Sequence, residues 1–371
     1  MKRRSFLKKS IGVGTVAAAS TLSAPAISKG IIRWKMVTCW PKNFPALGTG
    51  VQRIADSIYA MSDGRLEIKV YGAGELVPAF EVFDAVREGI AEMGHDAPYY
   101  WIAKHSAMPF FTTIPGGLTA QEHASWIYFG GGQELWDELY SQFGLKAFLA
   151  GTGGSNVGGW FRKEINSLQD LQGLRMRMPG LGGEILSRIG AIPVNLPGGE
   201  LLVALQSGAL DAVEWIAPYN DLAFGFHKIA KYYYAPGIQE PGSALGLTVN
   251  LDAYNKLPND LQNIIKYAAG DEAFRMLSEM TAGNAFALDV LLNKHKVKLR
   301  NFPEDVTNAM FTAALDIVKE KAEEDPFTNK VYKNWTEYRS KVTKLSPLTE
   351  LGYMSLRNKF EDKRKNRKIL I

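Results

Sequence analysis

Short β-rich runs alternate with longer helical patterns along much of this chain, and that alternation points to an α/β protein in which helices pack on sheets. Arg33–Cys39, Leu66–Tyr71 and Ala91–Asp96 read as strands, with helices predicted over Gly50–Met61 and Ala79–Glu88. In the second helix Phe80, Val82, Phe83 and Val86 share one face. Leu145–Ala150, Arg175–Met178, Ile192–Asn195, Ala212–Trp215 and Ala244–Asn250 are candidate strands of a glycine-richer middle region. From Leu251 onward the pattern is mostly helical, with Pro258 and Pro303 placed to start helices. At about 150 residues per domain, 371 residues suggest two domains. The expected organisation is lobe I from residues 27–150 and 251–345, with helical bridging elements, and lobe II from residues 151–250. Residues 346–371 form a C-terminal helical extension. Two lobes that the chain crosses more than once enclose a cleft suited to a small ligand.

The first 26 residues read as an address. A basic start precedes a weakly apolar stretch from Ile11 to Leu22, and Ala24-Pro25-Ala26 is a small-x-small cleavage site. Arg3-Arg4-Ser5-Phe6-Leu7-Lys8 resembles the twin-arginine signal, which exports proteins already folded. The expected mature chain is periplasmic, soluble and begins near Ile27. This segment also accounts for the net charge of +5. It holds five of the 43 basic residues and none of the 38 acidic ones, so the remainder is balanced. A neutral body offers no field for nucleic acid, and no nucleic-acid partner is expected.

Several chemistries lack their residues. Cys39 is the single cysteine, so neither an internal disulfide nor a thiolate cluster is available. The five histidines, at 95, 105, 123, 227 and 295, have no helical metal-binding spacing. There is no phosphate-binding G-x-x-x-x-G-K-[ST] and no G-x-S-x-G nucleophile elbow. Gly151-Thr152-Gly153-Gly154-Ser155 follows a strand, but the residues after it look extended, so no helix N-terminus is offered to a pyrophosphate. Catalysis has little support, and the chain is not expected to be an enzyme.

Two stretches carry chemistry instead. In Leu171–Gly180, Arg175 and Arg177 fall on one face of a strand. The residue beside the Pro179-Gly180 turn, Arg177, can reach into the cleft, ahead of a helix opened at Gly182. Its planar guanidinium matches a carboxylate as lysine cannot. Removing Arg177 is expected to abolish ligand binding and leave the fold intact. In Ser207–Trp215, a helix ends at Gly208 and a short strand delivers Glu214 and Trp215 to a strand end, where α/β clefts open. An acid beside an arginine-bound anion repels it. Either Glu214 turns away, or it holds a hard cation with backbone and ligand oxygens. Tyr99, Tyr100 and Trp101 on one side, and Trp215 and Tyr219 on the other, supply aromatic walls, with Tyr100 and Tyr219 as ligand-contacting candidates. Tyr232-Tyr233-Tyr234 reads as packing between the lobes. The tail is partly amphipathic at Leu348, Leu351 and Met354 and basic through Lys363–Lys368. It is either a solvated helix end or a protruding helix that packs on another copy in a homodimer.

Gly72-Ala73-Gly74-Glu75-Leu76-Val77-Pro78, Gly158-Gly159-Trp160-Phe161-Arg162, Leu171–Met178 and Val213-Glu214-Trp215 together resemble the extracytoplasmic solute receptors of tripartite ATP-independent periplasmic (TRAP) transporters, in particular those binding 2-oxo acids. Gly130-Gly131-Gly132 and Tyr232–Gly237 fit as well, so the likeness covers nearly the whole chain. It implies a two-lobed periplasmic binding protein fold with helices crossing between lobes. It further implies that Arg177 clamps a substrate carboxylate, that Glu214 and the Trp215 carbonyl hold a metal cation (sodium or calcium), and that Tyr100 faces the ligand. A 2-oxo acid such as pyruvate would chelate that ion through carboxylate and keto oxygens. Asn156 stands where such receptors place an amide, often glutamine, that touches cation and ligand. Glu240 or its neighbour Gln239 completes the cation site. The implied partner is an integral membrane permease. Receptors for lactate or a dicarboxylate, a twin-arginine-exported cofactor-binding enzyme, and a scaffold joined through the C-terminal helix are the alternatives.

Overall fold

The computed structural model describes residues 30–368. The export segment expected over Met1–Ala26 lies outside the described residues. The strands are β1 (Ile32–Thr38), β2 (Leu66–Tyr71), β3 (Met93–Asp96), β4 (Leu145–Thr152), β5 (Gly159–Phe161), β6 (Arg175–Arg177), β7 (Ile192–Val194), β8 (Ala212–Val213), β9 (Tyr232–Tyr234), β10 (Ala244–Asn250) and β11 (Lys298–Arg300). The helices are α1 (Leu47–Met61), α2 (Val82–Arg87), α3 (Ala120–Phe129), α4 (Gly132–Ser141), α5 (Gly180–Arg188), α6 (Leu201–Ser207), α7 (Pro218–Phe224), α8 (Leu251–Asn255), α9 (Asn259–Asp289), α10 (Glu304–Glu324), α11 (Pro326–Leu345) and α12 (Glu350–Lys368).

Local sequence explains most of these elements. Val51, Ile54, Ala55 and Ile58 recur at helical spacing and bury one face of α1. Helix α6 stops where Gly208 adopts φ +77°, a left-handed cap that costs glycine little. Helix α11 starts because the Asp325 side chain accepts from the backbone N–H groups of Phe327 and Thr328, with Pro326 in the first turn. Helix α5 opens at Gly180 rather than at Gly182.

Two sheets organise the molecule. One has the order β2-β1-β3-β10-β4, with β1 parallel to β2 and β3, and β10 antiparallel to β3 and β4. The other has the order β11-β9-β5-β8-β6-β7, with β8, β6 and β7 mutually parallel. Strand β10 therefore joins the first sheet and β11 the second, so each sheet takes a strand from beyond its main stretch of chain. The reason for β10 is burial: all but its last residue are shielded, as a strand between two neighbours requires. Helix α9, roughly 46 Å long by its 31 residues, packs on β4 and α1 of the first lobe and on α7, which follows β8 of the second. This is a two-lobed α/β fold in which the chain crosses repeatedly.

Each lobe has an aromatic centre. Phe111 stacks between Trp126 and Trp136, at 5.8 and 5.3 Å between ring centroids. Trp160 of β5 stacks on Tyr233 of β9 at 4.1 Å, and both donate to the buried Asp221 carboxylate. The three tyrosines at 232–234 thus belong to the second sheet and do not pack between lobes, because sheet pairing with β5 places them there. Among the described residues no helix is long and apolar enough to cross a membrane.

Candidate ligand and cation site

Strands β6 and β8 run parallel with Arg177 opposite Val213, so Arg177 and Glu214 emerge side by side at the carboxyl ends of adjacent strands. Arg175 begins the same strand, is exposed, and forms a two-pronged pair with Asp211 at 2.9 Å. Arg177 is buried. Its Nε donates to the Leu196 carbonyl at 3.2 Å, and its Nη1 donates to the Glu214 carbonyl at 2.8 Å and to Glu214 Oε2 at 3.1 Å. Among the described residues Nη2 has only the Tyr100 hydroxyl, at 3.5 Å, and so keeps donor capacity for an incoming anion. The guanidinium also lies 5.2 Å over the Trp215 ring, which braces it. Arg177 is therefore more than a local clamp, since it holds three oxygens of its own lobe; the expectation of an indifferent fold on its removal does not survive this burial.

A second cluster adjoins the first. Asn156, in the turn between β4 and β5, points its Nδ2 at Glu240 Oε2 (2.8 Å), Glu214 Oε1 (3.1 Å) and the Trp215 carbonyl (3.3 Å). Its Oδ1 accepts from Ser243 Oγ at 3.1 Å. Backbone bonds from Asn156 N to the Glu240 carbonyl and from Gly237 N to the Asn156 carbonyl clasp the two loops together. Gln239 is turned elsewhere, its Nε2 donating to the Val157 carbonyl at 2.8 Å. Of the two neighbours, Glu240 is the one brought into the cluster.

Burial shapes the electrostatics. It pushes the Glu214 carboxyl well above the usual range, reinforced by nearby Glu240 and opposed by Arg177 and Asn156. Glu240 is raised to about 7 by burial, against the pull of Arg177 and a hydrogen bond from Tyr99. With both acids ionised, one guanidinium faces two carboxylates and one negative charge is left over. Two carboxylates and a backbone carbonyl gather around the Asn156 Nδ2, hard oxygen donors of the kind that suit sodium or calcium. Among the described residues no group of three or more His, Cys, Asp or Glu side chains is placed to hold a metal ion, so any cation here needs the backbone carbonyl and ligand oxygens as well. The residues present fit a hard cation.

The first lobe closes the site from above. Tyr99 and Tyr100 lie in a 3-10 turn, Pro98–Trp101, just after β3, and Trp40 follows the end of β1. Trp40 stands 6.3 Å from both the Tyr100 and the Trp215 rings. Its indole N–H donates to His95 Nδ1 at 2.8 Å, a contact that fixes the ring. Burial depresses His95 to about 4, so the imidazole is neutral and can accept. Between Trp40, Tyr99, Tyr100, Trp215, Glu240 and Ser243 lies a cavity of about 20 Å³, the space of one water.

Tyr219 is the predicted site residue that does not join. Pro218 begins α7 and turns the chain so that the Tyr219 ring lies over Gly283 of α9, where a Cβ would stand 2.6 Å from the ring. Its backbone N–H is held by Asn284 Oδ1 at 2.9 Å, and its hydroxyl faces Glu279. Tyr219 fastens α7 to α9. Trp40 and Ser243 were missed. Trp40 had a signal, since it directly follows the predicted strand Arg33–Cys39, and strand ends in α/β folds open into clefts. Ser243 had none.

Comparison with known proteins follows the same lines. The sequence profile of the bacterial extracellular solute-binding proteins, family 7 (DctP), matches residues 36–325. A monocarboxylate 2-oxoacid-binding periplasmic protein of Nostoc sp. is 41% identical over 360 residues, covering 95% of this chain and 98% of that protein. A TRAP periplasmic solute-binding protein from Pseudoalteromonas atlantica, solved with bound sodium and pyruvate, superposes with a TM-score of 0.85 at 42% identity, covering 88% of this chain and 99% of that one. One from Bordetella bronchiseptica is a mixed-occupancy dimer with copurified calcium and picolinate in one site and the other apo. It superposes with a TM-score of 0.88 at 34% identity, over 90% of this chain and 99% of that one. A profile match over most of the chain and relatives aligned nearly end to end agree: the chain belongs to the DctP family of TRAP extracellular solute-binding proteins, which are receptors and not enzymes.

Proposed function

We propose that this chain is the periplasmic receptor of a TRAP transporter for a 2-oxo monocarboxylate such as pyruvate, captured together with sodium or calcium and handed to the membrane permease. The observation that carries this reading is that Arg177, with spare donor capacity at Nη2, pairs with Glu214, whose carboxylate gathers with Glu240 and the Trp215 carbonyl around the Asn156 amide. In this reading Arg177 Nη2 and the Tyr100 hydroxyl hold the ligand carboxylate. Glu214, the Trp215 carbonyl, Glu240 and the Asn156 amide hold the cation. The cation supplies a positive centre that a carboxylate oxygen and an adjacent keto oxygen can share. Picolinate, the ligand in the Bordetella relative, offers the same pairing of a carboxylate with an adjacent donor atom. Trp40 and Tyr99 from the first lobe exclude water, which strengthens each charge interaction.

The site favours one carboxylate over two. A second ligand carboxylate would meet Glu214 and Glu240, and among the described residues no lysine or arginine lines the cavity to receive it. A thermal-shift panel tests this. Pyruvate and its short 2-oxo homologues are expected to raise the melting temperature most, because at 100 times Kd a ligand adds about 2.7 kcal/mol. Lactate is expected to act more weakly and succinate not at all. A shift with succinate and none with pyruvate would overturn the assignment.

The export signal and the family support a periplasmic location. The C-terminal helix supports a homodimer. Leu348, Leu351, Leu356 and Phe360 on or beside α12 are all exposed, more apolar surface than a solvated helix end normally carries. Sedimentation of the full chain against a chain ending at Leu345 is expected to give dimer and monomer respectively. A monomeric full chain would reject this role for α12.

A further inference from the structure

The Asn156 amide presents an uneven account of donors and acceptors. Its NH2 carries two hydrogens, yet three oxygens lie within 3.3 Å of the nitrogen. Its oxygen has one partner, Ser243 Oγ, at 3.1 Å. Asn156 and Ser243 are each more than nine-tenths buried. Gly153 leaves room for the pair: a Cβ there would lie 2.7 Å from Ser243 Oγ and 3.3 Å from Asn156 Oδ1.

The two ends of a primary amide have the same shape, so a half-turn about its terminal torsion exchanges nitrogen for oxygen without disturbing packing. With the NH2 inward, as here, the amide is a partly positive plug among the oxygens. With the oxygen inward, it adds a further lone-pair donor, a setting favoured only when a cation occupies the point. Ser243 suits both settings, because a hydroxyl can donate to the amide oxygen or accept from the NH2. We infer that Asn156 inverts its amide when the cation binds, and that Ser243 is the positioning residue that holds both orientations. This rests on the cation site proposed above. A cation must then displace an internal donor, so the cation-free site is stabilised from within.

Side-chain NMR of protein labelled with 15N-asparagine tests it, with calcium alone and then sodium alone as probes. Without cation, the Asn156 NH2 protons are expected to show nuclear Overhauser contacts to the Glu240 side chain. With cation they are expected to lose these and gain contacts to Ser243 Hβ. Ser243→Ala is expected to weaken calcium binding roughly tenfold, because the inverted NH2 is left without an acceptor, and a buried orphan N–H is tolerated less than an orphan carbonyl. Ser243→Thr, which restores the hydroxyl, is expected to recover most of that loss. Calcium binding with the amide contacts unmoved, or with equal affinity in Ser243→Ala, would overturn the switch and leave the cation site standing. Wild-type protein that binds neither ion in calorimetry would overturn both.

Discussion

Arg177→Ala is expected to weaken pyruvate binding beyond calorimetric detection and to destabilise the fold by about 3–5 kcal/mol. Both effects come from one guanidinium. A micromolar ligand needs about 8 kcal/mol of binding free energy, and a charge-assisted hydrogen bond contributes roughly 1.5–3 kcal/mol of it. Arg177 is the cationic partner of the buried Glu214, so its loss also leaves the ligand carboxylate facing Glu214 and Glu240. The stability loss arises because Nη1 serves both the carbonyl and the carboxylate of Glu214. The carboxyl of Glu214 is already raised by burial, and a buried acid raised above its unfolded value costs stability as pH rises past that value. Removing the one cation that opposes this raises it further. The deficit of the variant against wild type is therefore expected to be smaller at pH 5 than at pH 8. Arg175→Ala, which breaks only an exposed pair with Asp211, is the control and should bind normally. Wild-type pyruvate affinity in Arg177→Ala would remove the clamp assignment.

Depriving the protein of cation is expected to weaken pyruvate binding by about 100-fold or more, equivalent to about 2.7 kcal/mol. The reason is charge balance. With pyruvate bound and both acids ionised, three carboxylates surround one guanidinium, and burying that excess without compensation costs several kcal/mol. A cation at the Glu214–Glu240 pair offsets it and turns repulsion into a bridge. The measurement is a pyruvate titration in chelated, sodium-free buffer, repeated after adding sodium or calcium back. Equal affinity throughout would reject the bridging role and return Glu214 to a structural part.

Much of this arrangement was legible from local sequence. Leu66–Tyr71 and Ala244–Asn250 coincide with β2 and β10, and Arg33–Cys39 overlaps β1 shifted by one residue. Arg177 and Glu214 were found because each sits at the end of a short strand beside a turn. In each case the signal is a run of side chains whose spacing matches the period of the backbone, and that spacing needs no distant partner to be read. Gln239 and Glu240 illustrate the opposite case. Adjacent residues in a loop have no period, and only the clasp between Asn156 N and the Glu240 carbonyl decides which one faces the cluster.

The chain by itself determined the α/β class and singled out Arg177 and Glu214, the two charged groups on which the proposed binding turns. Those rest on composition and short-range periodicity, which survive without knowledge of the fold. Tertiary structure alone decided that β10 and β11 change sheets, that Tyr219 serves α9 instead of the ligand, and that Trp40 and Ser243 belong to the site. Each of these depends on pairing between segments far apart in sequence, where a side chain's direction follows the neighbour it meets rather than the residues beside it.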